Sequence, residues 1–325
     1  MEKKKDKTKK LIPYICTIVI IIAMVLMADI LDNKEIIFPE IAALAVGYMV
    51  APKRSWKVNG KRMVILITGC AIMGVLIVRY AGLGRDLEVP IAFSIAQVIF
   101  MFSGTTFAPF VSAIVLPVMM RTTSIIYPIA AFLLTLLIVL FHNLFLKTGI
   151  RNDEEYVPVM LNSVDDIIDT VLRILCVSIV SYISFQVGLN FIVAPPLLVA
   201  FTEFSRPRNK TRNKPFRTIS VITVCALMGS LCRWLICVKL SFPLVVGTSV
   251  AICFMLFIIH YTKMYMPPVG AIVMLSMIIP EETLMSYPIQ IFIGSTVIIF
   301  LSRLLFMKRQ DKKKYDMEHE LKAER

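Results

Sequence analysis

The residues of this chain best suited to chemistry are polar or helix-starting residues set inside apolar sequence. Pro39, Pro109, Pro195-Pro196 and Pro267-Pro268 each stand near the start of a short apolar stretch, at 38–51, 107–120, 191–204 and 266–279. Proline suits the first turn of a helix, where its missing N–H breaks no hydrogen bond. The helix N-terminus it opens carries about half a positive charge and several unpaired N–H groups, which favour an anion. Donors stand nearby. Ser103-Gly104-Thr105-Thr106 precedes Pro109. There Thr105 and Thr106 either donate to a substrate oxygen, with Gly104 letting the backbone come close, or cap the helix that Pro109 starts. Gln97 is the most central polar side chain of its segment and either lines a path or bonds a neighbouring helix. Arg173 lies about two turns inside its segment. It offers a charge to a substrate or pairs internally with Asp169, four positions earlier.

The titratable groups add coupling candidates. Glu40, next to Pro39, either neutralises a helix dipole or moves a proton. His142 and His260 lie toward the ends of their segments and can titrate near neutrality; His260 joins Glu40 as a coupling candidate. Arg79 and Arg233 occupy matching places near segment ends and read as interfacial anchors. Hydrolytic and metal chemistry are not indicated. The chain has no His-Glu-x-x-His, P-loop or Gly-x-Ser-x-Gly motif, and its three histidines are far apart. An enzyme is not expected, and no cofactor is called for. The seven cysteines form no Cys-x-x-Cys pair and read as small hydrophobes.

The elements that must position these residues are membrane segments. Of 325 residues 58% are hydrophobic and 18% charged, against about 45–50% and 25% in soluble domains. That composition excludes a soluble enzyme, a disordered chain and a disulfide scaffold. Eight continuous segments fall at 11–30, 61–81, 88–102, 124–145, 166–186, 217–238, 242–261 and 287–307, each long enough or nearly so to cross a core of about 30 Å. The run at 11–30 follows a Lys-rich stretch but has no Ala-x-Ala site, so it reads as a retained span. The four Pro-led stretches would each cover only about 21 Å as helix and read as short or broken helices.

Charge decides whether the short stretches cross. If all twelve segments cross, 27 of the 35 Lys and Arg fall on the side of the N-terminus, against five on the other. Re-entrant short stretches would move the basic loops at 53–62 and 206–217 outside and destroy that bias, against the positive-inside rule. The net charge of +13 is thus a topology signal, and no nucleic-acid partner is expected. The halves also match. Cys70-Ala71-Ile72-Met73-Gly74 recurs as Cys225-Ala226-Leu227-Met228-Gly229, and Pro109-Phe110-Val111-Ser112-Ala113-Ile114-Val115 as Pro267-Pro268-Val269-Gly270-Ala271-Ile272-Val273. Six segments per copy is even, so the copies share one orientation.

The second copy carries a family resemblance. Ser205-Arg206-Pro207-Arg208-Asn209 is followed by a Gly-containing span, another span, and Pro267-Pro268-Val269-Gly270-Ala271. This order resembles the HPP family of integral membrane proteins over about 191–307, and over the first half through the repeat. The motif's histidine is replaced by Met266 here and by Ala108 in the first copy. The resemblance implies a small-anion transporter, since family members are linked to nitrite transport. The fusaric-acid-resistance-like exporters of aromatic acids are also similar, with six-span repeats, Pro-led segments and basic loops.

The sequence therefore predicts an all-α polytopic membrane protein of about twelve segments in two parallel six-segment repeats. A basic cytoplasmic N-terminus covers 1–10, repeat 1 covers 11–147, a cytoplasmic linker 148–165, repeat 2 166–307, and a charged cytoplasmic tail 308–325. The expected function is a small-solute transporter or channel in the cell membrane, for a small inorganic, nitrite-like anion. That anion would sit among the helix starts at Pro39, Pro109, Pro195, Pro267 and Pro268, with Gln97, Gly104, Thr105, Thr106 and Arg173 contributing. An exporter of organic acids and a non-transporting scaffold are the alternatives. The bilayer and the anion or acid are the expected partners, and an oligomer is compatible with the sequence.

Overall fold

The computed structural model describes residues 2–160, 163–207, 209 and 211–307; the tail expected at 308–325 lies outside the described residues. These residues form twelve α-helices and no strand. In the first half they are α1 (Glu2–Ile30), α2 (Glu40–Ala45), α3 (Gly60–Tyr80), α4 (Arg85–Phe102), α5 (Phe110–Met120) and α6 (Ile126–Lys147). In the second they are α7 (Val164–Gln186), α8 (Pro195–Phe204), α9 (Pro215–Cys232), α10 (Leu244–Thr262), α11 (Pro267–Leu275) and α12 (Tyr287–Leu301). Wider π-helical turns extend α2 over Val46–Val50, α9 over Arg233–Lys239 and α12 over Ser302–Met307. Among the described residues seven runs are long and apolar enough to cross a membrane: Leu11–Ile30, Gly60–Tyr80, Ile126–Lys147, Val164–Gln186, Pro215–Lys239, Leu244–Thr262 and Tyr287–Met307; the segment expected at 88–102, which is α4, is not one of them. The described residues are all-helical and compatible with a polytopic membrane protein.

The four Pro-led helices form the centre. Every residue of α2 and α11 is buried, as is all of α5 except Met120 and all of α8 except Glu203. A helix apolar on all sides has no face to give to water or headgroups and belongs in a core. α2 packs on α11, α5 on α8, and α8 on α11. The long helices surround them, α3 against α5 and α6, α9 against α11 and α12, α4 against α7, and α1 against α10. Their outer faces stay apolar: on α7, Thr170, Arg173, Val177 and Ser181 are buried while Val171, Leu175, Ile179 and Tyr182 are exposed. Exposed apolar faces of this kind imply contact with lipid.

Small residues set the closest approaches. A Cβ on Gly74 of α3 would strike the Ile114 carbonyl oxygen and Pro117 of α5. On Gly270 of α11 it would lie 2.8 Å from the carbonyl carbon of Ala42 in α2. Tyrosines tie the short helices to the long ones: Tyr127 donates to the Ala113 carbonyl at 3.0 Å, and Tyr287 to the Ile272 carbonyl at 2.8 Å. Arg233 does not behave as an interfacial anchor. It is 4% exposed and donates from Nη1 to the carbonyls of Ser276 at 2.7 Å and Ile279 at 2.6 Å. It thereby closes the C-terminal end of α11, where orphan carbonyls favour a cation. Arg79 is exposed and reaches the Thr123 carbonyl beyond α5 at 2.6 Å.

Candidate functional site

The buried helix starts meet around one carboxyl group. Glu40 opens α2 behind Pro39 and is 1% exposed. Ser112, in the first turn of α5, donates its hydroxyl to Glu40 Oε1. Glu40 Oε2 has no hydrogen-bond partner among the described residues. The first turn of α11 crosses the first turn of α2 where Gly270 meets Ala42 and Ala43. Pro267 lies beside Gly47, farther along α2, so the two short helices run antiparallel with their first turns overlapping. Pro195 and Pro196 are buried at the start of α8, which packs on both α5 and α11. The structure thus brings together the first turns of α2, α5 and α11; the start of α8 lies against α12 instead, where the Phe191 N–H donates to Gln290 Oε1 at 2.8 Å.

A pocket of about 200 Å³ lies at the C-terminal ends of α5 and α11, lined by Lys34, Glu35, Ile37, Leu116, Met120, Arg121, Thr122, Tyr127 and Ile278; neither Glu40 nor Ser112 lines it. Arg121 pairs with Glu88, which is fully buried and also accepts from the Leu83 N–H at 3.1 Å.

Arg173 and Gln97 belong to a second buried group, on α4, α7 and α8. Arg173 Nη1 donates to Gln97 Oε1 at 3.0 Å, and Gln97 Nε2 donates to Thr202 Oγ1 at 2.9 Å. The Asp169 carboxylate acts electrostatically on the guanidinium, as the four-residue spacing requires. Arg173 Nε has no hydrogen-bond partner among the described residues. Gln97 therefore bridges two neighbouring helices, and its amide spends both its acceptor and a donor in doing so.

No family model, curated protein or solved structure matches this chain.

The Ser103–Thr106 stretch sits where the basic loops gather, and its polar groups pin those loops together. Gly104 takes a left-handed φ of +65, which glycine adopts without steric cost. Its carbonyl accepts from the Tyr156 hydroxyl at 2.8 Å and from the Val159 N–H at 2.9 Å. Thr106 Oγ1 accepts from the Lys57 N–H at 2.8 Å, and its carbonyl accepts from Arg206 Nη1 at 3.1 Å. Thr105 Oγ1 contacts Ser103 Oγ at 3.0 Å and accepts from the Phe107 N–H at 3.3 Å. α5 itself starts without a side-chain cap.

Beneath α2, α5 and α8 the same end is closed by aromatics. Trp56 is buried edge-on to Phe107, with ring centroids 5.2 Å apart, and donates from Nε1 to Glu203 Oε1 at 2.7 Å. Arg206 lies over the Phe100 ring at 5.6 Å. Burial lowers the pKa of Arg206 from the ordinary guanidinium value, and the Glu203 and Asp166 carboxylates pull it back up. His260 stands apart on the exposed flank of α10, 3.3 Å from the Tyr14 hydroxyl. His142 is buried against Tyr48, with ring centroids 4.1 Å apart.

Sequence reasoning missed Ser112, Thr202, Glu88, Trp56, Glu203 and Arg206 as members of these groups. A signal for Ser112 was present: it is the one hydroxyl in a stretch whose second copy reads Val269-Gly270-Ala271. The others are linked only by contacts between helices and loops.

Proposed function

We propose that this chain is a membrane transporter for a small inorganic anion, built from twelve crossing segments in two parallel six-segment repeats with both termini cytoplasmic. The observation that carries the reading is the meeting of buried helix first turns around Glu40 and Ser112. Interrupted helices whose N-termini point into the body of a membrane protein supply N–H groups and partial positive charge for an anion.

Packing supports the repeat. Advancing each helix by six turns α1 on α10 into α7 on α4, α2 on α11 into α8 on α5, α3 on α5 into α9 on α11, and α3 on α6 into α9 on α12. Gly74 and Gly229, Tyr127 and Tyr287, and Arg79 and Arg233 recur in matching roles. The order Arg206-Pro207-Arg208-Asn209 then Pro267-Pro268-Val269-Gly270-Ala271, read in the sequence as resembling the HPP family, points to the same substrate class.

Glu40 gives the mechanism its coupling. An ionised carboxylate and a bound anion at the same helix starts repel, so the anion is admitted when Glu40 takes a proton. Proton and anion then move together. The test is flux into proteoliposomes with nitrite, nitrate, formate and an aromatic acid, against empty liposomes. Saturable small-anion flux driven by a pH gradient is expected, and Glu40→Gln should retain flux while losing that drive. Absence of flux from folded protein would overturn the reading. Flux confined to the aromatic acid would replace it with an organic-acid exporter.

A further inference from the structure

A second concavity is larger and lies elsewhere. A cleft of about 1100 Å³ lies alongside the α1–α10 contact at the end where the basic loops gather. Its wall is apolar, with Leu11, Ile18, Leu256 and Phe257, while Lys9, Lys53, Arg151 and Lys263 also line it. Glu154, on the same lining, is engaged with Arg54 at 3.9 Å and Arg151 at 4.0 Å, so the charge presented is positive. Leu11 is 56% and Phe257 61% exposed, which opens the cleft sideways on the face α1 and α10 turn to lipid. From Cys253 to Lys263, both lining residues, α10 rises about 15 Å. That is half of a hydrocarbon core of about 30 Å, the depth of one leaflet.

Cations at the mouth, an apolar trough one leaflet deep and a lateral opening match an anionic head with an acyl chain. We propose that this cleft holds one anionic phospholipid from the leaflet on the basic-loop side, its phosphate against Lys9, Lys53 and Lys263 and a chain along Leu256 and Phe257. A zwitterionic lipid brings an added cation to the same lysines and is disfavoured. Basic pockets between membrane helices hold acidic head groups for this reason. The site involves neither Glu40 nor Arg173 and stands whether or not the chain carries an anion.

The experiment is native mass spectrometry of the purified full chain with equal amounts of phosphatidylglycerol and phosphatidylcholine. One retained phosphatidylglycerol is expected. Each surface cation contributes about fivefold to acidic-lipid binding, so Lys53→Gln with Lys263→Gln should weaken retention about thirtyfold. Arg85→Gln with Lys239→Gln, at the opposite end, should leave it unchanged. Cys253→Trp fills the trough without altering charge and should also expel the lipid, which separates a seated chain from a diffuse basic surface. Equal retention of both lipids, or unchanged retention in the Lys53/Lys263 variant, overturns the proposal. Loss in that variant with full retention in folded Cys253→Trp also overturns it, because the head group alone would then be bound. Displacement by inorganic phosphate or an aromatic acid at equal concentration would assign the cleft to a soluble anion and overturn it as well.

Discussion

Glu40 and Arg173 carry opposite charges inside one apolar body and are satisfied by different means. Arg173 has a carboxylate one turn away and a hydrogen-bonded amide on the next helix; Glu40 has a serine hydroxyl and a helix N-terminus. Removing either neutral partner leaves a buried polar group short of a hydrogen bond, at a cost of about 1–3 kcal/mol. Ser112→Ala and Gln97→Leu should each lower thermal stability in detergent by that order. Gln97→Leu should be the more damaging, because it strips partners from both Arg173 and Thr202. Equal stability of Gln97→Leu and wild type in a thermal melt would show that the amide bridge contributes nothing.

The short helices exist because their neighbours let them. Six to eleven residues of apolar helix are marginal alone, and here they are held by backbone approaches that only glycine permits. Gly74→Ala and Gly270→Ala place a methyl group against backbone of α5 and α2. Each should destabilise the protein by about 1–3 kcal/mol, the usual range for overpacking. Gly69 lies in the same helix as Gly74 but has nothing within 4 Å of the added Cβ. Gly69→Ala should therefore be neutral or stabilising by up to about 1 kcal/mol, from helix propensity alone. Thermal unfolding of the three variants side by side separates packing from propensity; the same shift for Gly69 and Gly74 would contradict the close contact.

At the scale of the whole molecule, the two ends differ in how they are tied. One end is laced by Arg62, Lys57, Arg206, Tyr156 and Arg54, which join four loops. The other relies on Arg79 and Arg233, which reach carbonyls at the ends of α5 and α11, and on Arg121, which donates to the Leu83 carbonyl between α3 and α4. Under the twelve-segment topology the laced end faces the cytoplasm. Cysteines replacing Lys53 and Glu155 should then resist a membrane-impermeant maleimide in intact cells. Cysteines replacing Lys34 and Glu282, all four positions being exposed, should react. Labelling at position 53 from outside would mean that the segment holding α2 does not cross.

The sequence alone determined where the helices run. The stretch expected at 166–186 is α7 at Val164–Gln186, and that expected at 287–307 is the run Tyr287–Met307. Hydropathy and proline are local properties, and helix hydrogen bonds close within four residues. The expected start at 88 fell short of Arg85 because Arg85 and Asp86 look like loop charges, yet Asp86 and Glu88 favour a helix first turn and Glu88 finds Arg121 across 33 residues. What only the tertiary structure decided is which polar groups meet. Glu40 reaches Ser112 over 72 residues, and Gln97 reaches Arg173 over 76 and Thr202 over 105. Those partnerships depend on helix rotation and on which faces pack together, and similar apolar segments in one chain leave many pairings equally compatible with their periodicity. The division of the interior into a carboxyl group at helix starts, a separate arginine bridge and a lipid-facing cleft followed from packing.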